Sequence, residues 1–295
     1  MQVSIVIPNF NGEELLRRNL PSVLAAMSEA GNQIREIIVV DDGSKDASIK
    51  ILKEEFPLVK VIKHTVNRGF SAAVNTGVRM SKGDLVALLN TDVAPEKNFL
   101  ENVLLIFKDE KVFAVSLHEK GFGWAKGLIE DGFIVHRPAE ESTTSHRTFW
   151  VNGGSGVFRR KTWMELGGMD EKLLSPLYWE DLDLSYRAQK RGYELLWEPK
   201  ALVSHEREST TKKLPLRYVQ RIQERNQLLF IWKNLTSQIL FRKHILGLLK
   251  RVVMHPGYLF VVFSAIRFLF KVLKARNIET KEAKISDEAI FNRFK

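Results

Sequence analysis

Four short apolar runs, at residues 3–7, 37–40, 59–62 and 85–89, alternate with amphipathic stretches of helical length, and few folds accommodate that alternation. Each run is rich in β-branched residues or Leu, as a buried parallel strand is. The stretches at 13–30, 47–56 and 71–80 supply the crossover helices. The first 110 residues therefore predict a doubly wound α/β layer, in which a ligand sits beyond the carboxyl ends of the strands. Three of those ends carry polar clusters: Pro8-Asn9-Phe10-Asn11-Gly12, Asp41-Asp42-Gly43-Ser44 and Asn90-Thr91-Asp92.

After Lys111 the alternation fades, and 121–147 reads as irregular and partly mobile. Order returns at 149–158, and a Trp- and Gly-rich stretch runs to Pro199. A short strand at 201–204 and a polar loop at 206–213 follow. Beyond Pro215 the pattern is helical, with two stretches at 239–253 and 258–273 divided by His255-Pro256-Gly257. In the second, Ser264, Arg267, Lys271 and Lys274 share one face and the rest is apolar. Arg267 interrupts it well short of the roughly 20 apolar residues of a membrane span, so a basic amphipathic helix in the interface is the expectation. A helical hairpin packed on the core is the alternative. The tail after Arg276 reads as polar and loosely held.

The 295 residues include no cysteine, so any metal must be held by Asp, Glu, His or Asn. The start shows no basic n-region or long apolar h-region, and no secretory signal is expected. The net charge of +10 is uneven. Residues 200–295 hold 20 Lys and Arg against 7 Asp and Glu, while 1–199 hold 25 against 28. A basic end suits nucleic acid or anionic lipid. Phe- and Leu-rich helical faces beside the charge favour lipid over nucleic acid. An oligomeric state is not legible.

The strand-end carboxylates Asp41 and Asp42 can accept from a base imide or a ribose hydroxyl, or simply cap the next helix. Neither a dinucleotide fingerprint nor a P-loop is present. In Asn67-Arg68-Gly69-Phe70, Arg68 can meet a phosphate or base, and the small residues beside Asn75 allow close helix approach. Asp92 can give a hard cation its oxygen, though a strand-end Asp is also an ordinary turn residue. Glu180, Asp181 and Asp183 open a helix whose dipole favours acids there; one placed beside an acceptor hydroxyl serves as a general base. His205, after the 201–204 strand, can be a neutral imidazole ligand or a structural residue.

These elements, in this order over about residues 2–232, resemble family 2 glycosyltransferases, especially bacterial rhamnosyltransferase-like members that build cell-surface polysaccharide. The resemblance implies a GT-A fold: a Rossmann-like, mainly parallel sheet flanked by helices, here with a C-terminal helical extension. It implies nucleotide contacts at Pro8, Asn9, Asn11, Asp41, Asp42, Arg68, Gly69, Asn75, Asn90, Thr91 and Asp92. Asn90-Thr91-Asp92 stands where the family carries Asp-x-Asp, its first acid replaced by Asn. Mg²⁺ or Mn²⁺ is then implied at Asp92 and His205, and acceptor contacts at Gly153, Gly154 and Trp179. Glu180-Asp181 is similar to the family's Glu-Asp motif, whose Asp is the catalytic base, and Arg225-Asn226 resembles a pair in the helix after the core.

The expected function is inverting transfer of a sugar from a dTDP- or UDP-sugar to a glycan or lipid-linked acceptor, in the cytoplasm on the inner face of the membrane. A catalytically silent, membrane-docked nucleotide-sugar binder is the alternative. The expected division is a nucleotide-sugar half at 1–110, an acceptor and catalytic half at 111–213, and a basic helical extension at 214–295. The polar loop at 206–213 is expected to act as a lid.

Overall fold

The computed structural model describes residues 1–206 and 215–294. β1 (Val3–Asn9), α1 (Glu13–Met27), β2 (Ile34–Asp41), α2 (Ser48–Glu55), β3 (Lys60–Lys63), α3 (Phe70–Met80) and β4 (Leu85–Leu89) alternate strictly. β2, β1 and β4 are parallel neighbours. Val3, Ile5 and Ile7 face the layer of α1 and α2, and Val6, Ile38, Val86 and Leu88 face that of α3. A period of two thus fills both faces of the sheet. Gly77 lets α3 lie directly on the side chains of Val6 and Val40. β3 departs from the expectation of a buried strand: it is the sheet edge, with Lys60 and Lys63 exposed.

The second half comprises β5 (Val93–Pro95), α4 (Glu101–Ile106), β6 (Val112–Glu119), β7 (Ala125–Glu130), β8 (Phe133–Pro138), β9 (His146–Arg147), β10 (Ser155–Arg159), α5 (Arg160–Glu165), α6 (Glu180–Lys190) and β11 (Glu194–His205). β10 enters antiparallel between β4 and β6, and β11 runs parallel to β6. One nine-stranded sheet therefore crosses residue 110. The strand expected at 201–204 is the end of the longer β11.

The segment 121–147 is not irregular. β7 and β8 form a hairpin in continuous register from Ala125↔Pro138 to Glu130↔Phe133. Its turn, Asp131-Gly132, has φ of 47° and 81°, and Asp-Gly is a strong hairpin signal because such a turn needs positive φ at both places. Phe133 and Ile134 are buried, and His244 Nδ1 donates to Gly132 O at 2.9 Å. Burial pushes the His244 imidazole down to about 4, which keeps it neutral in that contact.

Among the described residues the rest of the chain forms the α-helices α7 (Leu216–Asn234), α8 (Gln238–Met254), α9 (Leu259–Ile266), α10 (Leu269–Glu282) and α11 (Asp287–Asn292). α7 packs on α6, β8, α9 and α10, so the C-terminal helical extension is fastened to the core. The expected continuous helix at 258–273 is broken: the segments Pro256–Ile266 and Leu269–Glu282 meet at 70°. No single helix among the described residues is long and apolar enough to cross a membrane. The tail is also not loose. Asp287 is buried and accepts from Tyr186 Oη (2.7 Å), Lys190 Nζ (2.7 Å) and Ser237 N (2.6 Å), while Phe291 packs against Phe149.

Candidate active site

Because β2, β1 and β4 are neighbours, their polar carboxyl ends lie side by side. Asn9 Nδ2 donates to Asp41 Oδ2 (2.9 Å) and Ser44 Oγ (3.2 Å), and Ser44 N donates to Asp41 Oδ1 (3.0 Å). Pro8 pairs with Val40 on the sheet beneath. Asn11, at φ 51°, joins through its N to Ser44 Oγ (2.8 Å) and accepts Lys45 N (2.8 Å). Asn9 Oδ1 is left buried without a hydrogen-bond partner.

Asp42 holds the adjoining loop. It accepts Arg68 N (2.9 Å) and Gly69 N (2.7 Å), and lies 2.7 Å from His64 Nδ1, whose Nε2 is 3.1 Å from Thr76 Oγ1. His64 carried no motif and was missed. Gly69 sits at φ 90°, open to few residues but glycine. Arg68 is half exposed, with Nη2 3.3 Å from Glu171 Oε2.

Asn75 is placed differently from the other nucleotide-side residues. Its Nδ2 donates to Met169 O (2.8 Å) and Glu171 Oε1 (2.9 Å), and its Oδ1 accepts Met169 N (3.0 Å) and Trp163 Nε1 (3.3 Å). These bonds fasten α3 to α5 and the loop after it, and they occupy the hydrogen-bonding capacity of the side chain.

The remaining polar residues form one line. Asp92 Oδ1 lies 3.3 Å from His205 Nε2, and His205 Nδ1 lies 3.0 Å from Glu119 Oε1. Glu119 Oε1 accepts Ser155 Oγ (2.8 Å) and is 3.5 Å from Asn152 Nδ2. Asn152 Oδ1 accepts Gly154 N (2.8 Å), whose carbonyl accepts Asn90 N (2.8 Å). Gly153 N donates to Asp181 Oδ2 at 3.1 Å. Thr91 contributes its carbonyl, which accepts Asn19 Nδ2 (2.8 Å) and ties the cluster to α1. Glu119 was missed because β6 was not recognised, though it is a strand-end acid like the others; Asn152, just before β10, carried no motif.

With no metal between them, His205 and its two carboxylate neighbours favour a protonated ring. Burial opposes its charge, but the two flanking carboxylates outweigh burial and raise the ring to about 9. A positive charge thus already sits between Asp92 and Glu119, although Nδ1 makes no aligned hydrogen bond. The carboxylate of Asp92 and the imidazole of His205 are donors that suit a divalent cation, which would replace the proton. Among the described residues no group of three or more His, Asp or Glu side chains could hold a metal ion, so ligand oxygens and water would have to complete the shell.

The acids opening α6 have separate fates. Asp183 is fully buried and pairs with Arg187 (2.8 Å) and Lys233 (3.0 Å), with Asn234 donating at 2.7 Å. Burial alone would raise its carboxyl; Lys233 and Arg187 instead hold it at about 2. It is therefore structural. Burial pushes Asp181 up to about 6, against the pull of the Gly153 and Leu182 amides, though part of its surface stays open. Burial, reinforced by Asp181, pushes Glu180 well above the carboxylate range and leaves its Oε2 without a partner. Glu180 is the harder of the pair to ionise.

A strained turn aims this pair. Tyr178 and Trp179 have φ of 67° and 76°, costing on the order of 1 kcal/mol each. Asn226 Nδ2 donates to the carbonyls of Leu174 (2.6 Å), Leu177 (2.8 Å) and Tyr178 (3.1 Å), and Arg225 Nη2 to that of Ser175 (2.8 Å). These bonds from α7 pin the turn. Trp179 then faces His136 of β8, with ring centroids 6.4 Å apart, and His136 lies 5.3 Å from Trp150. A Cβ on Gly153 would stand 2.8 Å from Met169 Cε and 3.4 Å from Asp181 Cβ. Gly153→Ala is expected to shift the Asp181 carboxylate and cut turnover about tenfold or more with nucleotide affinity retained; unchanged turnover in steady-state assays would rule this out.

A model of glycosyl transferase family 2 matches residues 4–161. The chain belongs to that family. It is 30% identical over 214 residues to the pre-mycofactocin glycosyltransferase of Mycobacterium tuberculosis, covering 69% of this chain and 42% of the relative. It is 27% identical over 290 residues to the probable glycosyltransferase YdaM of Bacillus subtilis, covering 94% and 65%. It is 41% identical over 148 residues to the undecaprenyl-phosphate 4-deoxy-4-formamido-L-arabinose transferase of Pseudomonas fluorescens, covering 47% and 39%. The chain thus spans less than two thirds of each of these relatives. GalNAc-T7, solved with UDP, GalNAc and Mn²⁺, aligns with a TM-score of 0.63 at 20% identity, over 80% of this chain and 48% of that one. The Pyrobaculum calidifontis mannosyltransferase, solved with GDP-Man and Mn²⁺, aligns at 0.55 and 17%, over 99% and 85%. The fold of this chain is therefore GT-A. None of the three relatives carries a rhamnosyltransferase description.

Proposed function

We propose that this glycosyltransferase is inverting, and that it moves a sugar from a dTDP- or UDP-sugar to a glycan or lipid-linked acceptor. What supports this reading is the unbroken line of contacts from Asp181 through Gly153, Gly154, Asn152 and Glu119 to His205 and Asp92. A carboxylate suited to take a proton lies at one end, and groups suited to a cation and diphosphate at the other. Asp181 takes the acceptor hydroxyl proton as the oxygen forms its bond to the anomeric carbon, and the bond from that carbon to the diphosphate oxygen breaks on the opposite face. One displacement inverts the centre without a covalent intermediate. Asp92 and His205 would hold Mg²⁺ or Mn²⁺, which when bound neutralises charge on the departing diphosphate.

Asn9, Asn11, Asp41 and the loop clasped by Asp42 are assigned to the nucleoside, with Pro8 shaping the strand end beneath. Arg68, Gly69, Asn90 and Thr91 are assigned to the diphosphate side, and Gly153, Gly154 and Trp179 to the acceptor. Residues 1–110 are assigned to the nucleotide-sugar and 111–213 to the acceptor and to catalysis. The reaction is placed in the cytoplasm at the inner membrane face, on the strength of the basic 214–295 segment. A lipid-linked acceptor draws support from the Pseudomonas relative, which is named for undecaprenyl phosphate. The lid expected at 206–213 lies, apart from Glu206, outside the described residues.

The deciding experiment screens UDP- and dTDP-sugars with and without Mn²⁺ by thermal shift, then assays donor turnover. Asp92→Ala is expected to remove the metal-dependent part of the stabilisation, about 2–3 kcal/mol at ligand near 100 times Kd. An equal shift in wild type and variant would discard the Asp92 assignment. Binding without any turnover would favour the silent binder.

A further inference from the structure

We propose that the elbow formed by α9 and α10, with the outer stripe of α8, is the surface that docks on an anionic lipid bilayer. This deepens the membrane placement given above and rests on it; the transfer chemistry stands apart. The exposed apolar residues are concentrated here. Phe260 (73% exposed), Phe263 (60%) and Phe270 (89%) project with Ile266, Leu269 and Leu273, while the inner residues Val261, Ala265 and Val272 are buried in the core shared with α7. On α8, Ile239, Leu246, Leu249 and Val253 recur at helical spacing and are exposed, and that stripe runs on to Met254. A soluble surface seldom leaves so much contiguous apolar area unpartnered.

Charge identifies the occupant. From Arg225 to Ile278 the chain has ten Lys and Arg and neither Asp nor Glu. Arg242 and Lys243 on α8, Arg267 at the bend between α9 and α10, and Lys271 and Lys274 on α10 are exposed. Aromatic side chains entering the headgroup boundary beside cations is how an interfacial helix binds anionic lipid. A second copy of this chain would set these like charges against one another. The 70° bend matters because neither arm is long enough to span. Buried inner faces hold the arms at that angle, so the outer Phe side chains enter the boundary without the helices crossing it.

The test is sedimentation of the full chain with phosphatidylcholine vesicles and with vesicles carrying phosphatidylglycerol, at low and high salt. Wild type is expected on the anionic vesicles, weakened by salt. The triple variant Phe260→Ser/Phe263→Ser/Phe270→Ser is expected to bind at least roughly a hundredfold less. Lys271→Glu/Lys274→Glu is expected to bind roughly tenfold less or weaker still. Both should keep the thermal shift with UDP and Mn²⁺, which certifies folding and leaves the donor reading untouched. Absence of wild-type binding would overturn membrane placement and surface together. Wild-type binding unchanged in both variants would overturn this surface alone. A lipid-free dimer that the triple Phe variant converts to monomer would overturn it in favour of a second copy.

Discussion

Asp181→Asn lowers turnover by about 10²- to 10⁴-fold while nucleotide affinity stays near wild type, the loss expected when a general base is removed from a site it does not build. Asp181 takes little part in holding the fold: among the described residues its oxygens accept backbone amides, those of Gly153, Leu182 and Asp181 itself. Its carboxyl is pushed by burial to about 6, so wild-type turnover should rise with pH through that value and level off above it. The Asn variant should lack that rise.

A second consequence has the opposite direction. The folded carboxyl ionises less readily than the unfolded one, near 3.8, so the ionised side chain weakens the fold. That penalty is absent below pH 4, grows between about 4 and 6, and is constant above. After allowance for the part of Asp181 open to solvent, it amounts to about 2 kcal/mol at most. The Asn variant should therefore be more thermostable than wild type at pH 8 and lose that advantage near pH 4. A variant that is slow and also less stable at pH 8 would mean that the turnover loss reflects damage to the site.

Asp183→Ala, two residues further on, is expected to destabilise the fold by about 3–5 kcal/mol without acting on the chemistry directly. Asp183 lies where Arg187, Lys233 and Asn234 converge, and Lys233 also pairs with Asp170 (2.9 Å). Removing the anion leaves two buried cations short of a partner. In a chain of this size the loss corresponds to roughly 5–8 °C in Tm. The carboxyl is held at about 2, below its unfolded value near 3.8. Its contribution is therefore complete above pH 4 and is lost as pH falls toward 2. A calorimetric Tm within 2 °C of wild type would remove the cluster from the stability of the α6–α7 contact.

The contrast between these neighbours marks the limit of the motif. Glu180, Asp181 and Asp183 read alike as acids at a helix start. Only packing separates them: Lys233 and Asn234 arrive from α7, some fifty residues later, and neutralise one. Asn75 shows the same limit, since its fit to a nucleotide-lining segment gave no hint of the loop at 167–171 that consumes its hydrogen bonds. Glu119 and the β7–β8 hairpin were nearer to being legible. The Asp131-Gly132 turn and the strand-end acid follow rules that located other elements of this chain.

The sequence by itself determined the parallel half of the sheet, the polar strand ends that flank the site and the family, because short-range periodicity dictates strands and helices and the motifs stand at their ends. Only the tertiary structure decided that Asp183 is walled in by cations and which residues complete the line of contacts from Asp181 to Asp92. Charge state and hydrogen-bond capacity depend on neighbours brought from distant parts of the chain, and no local pattern encodes them.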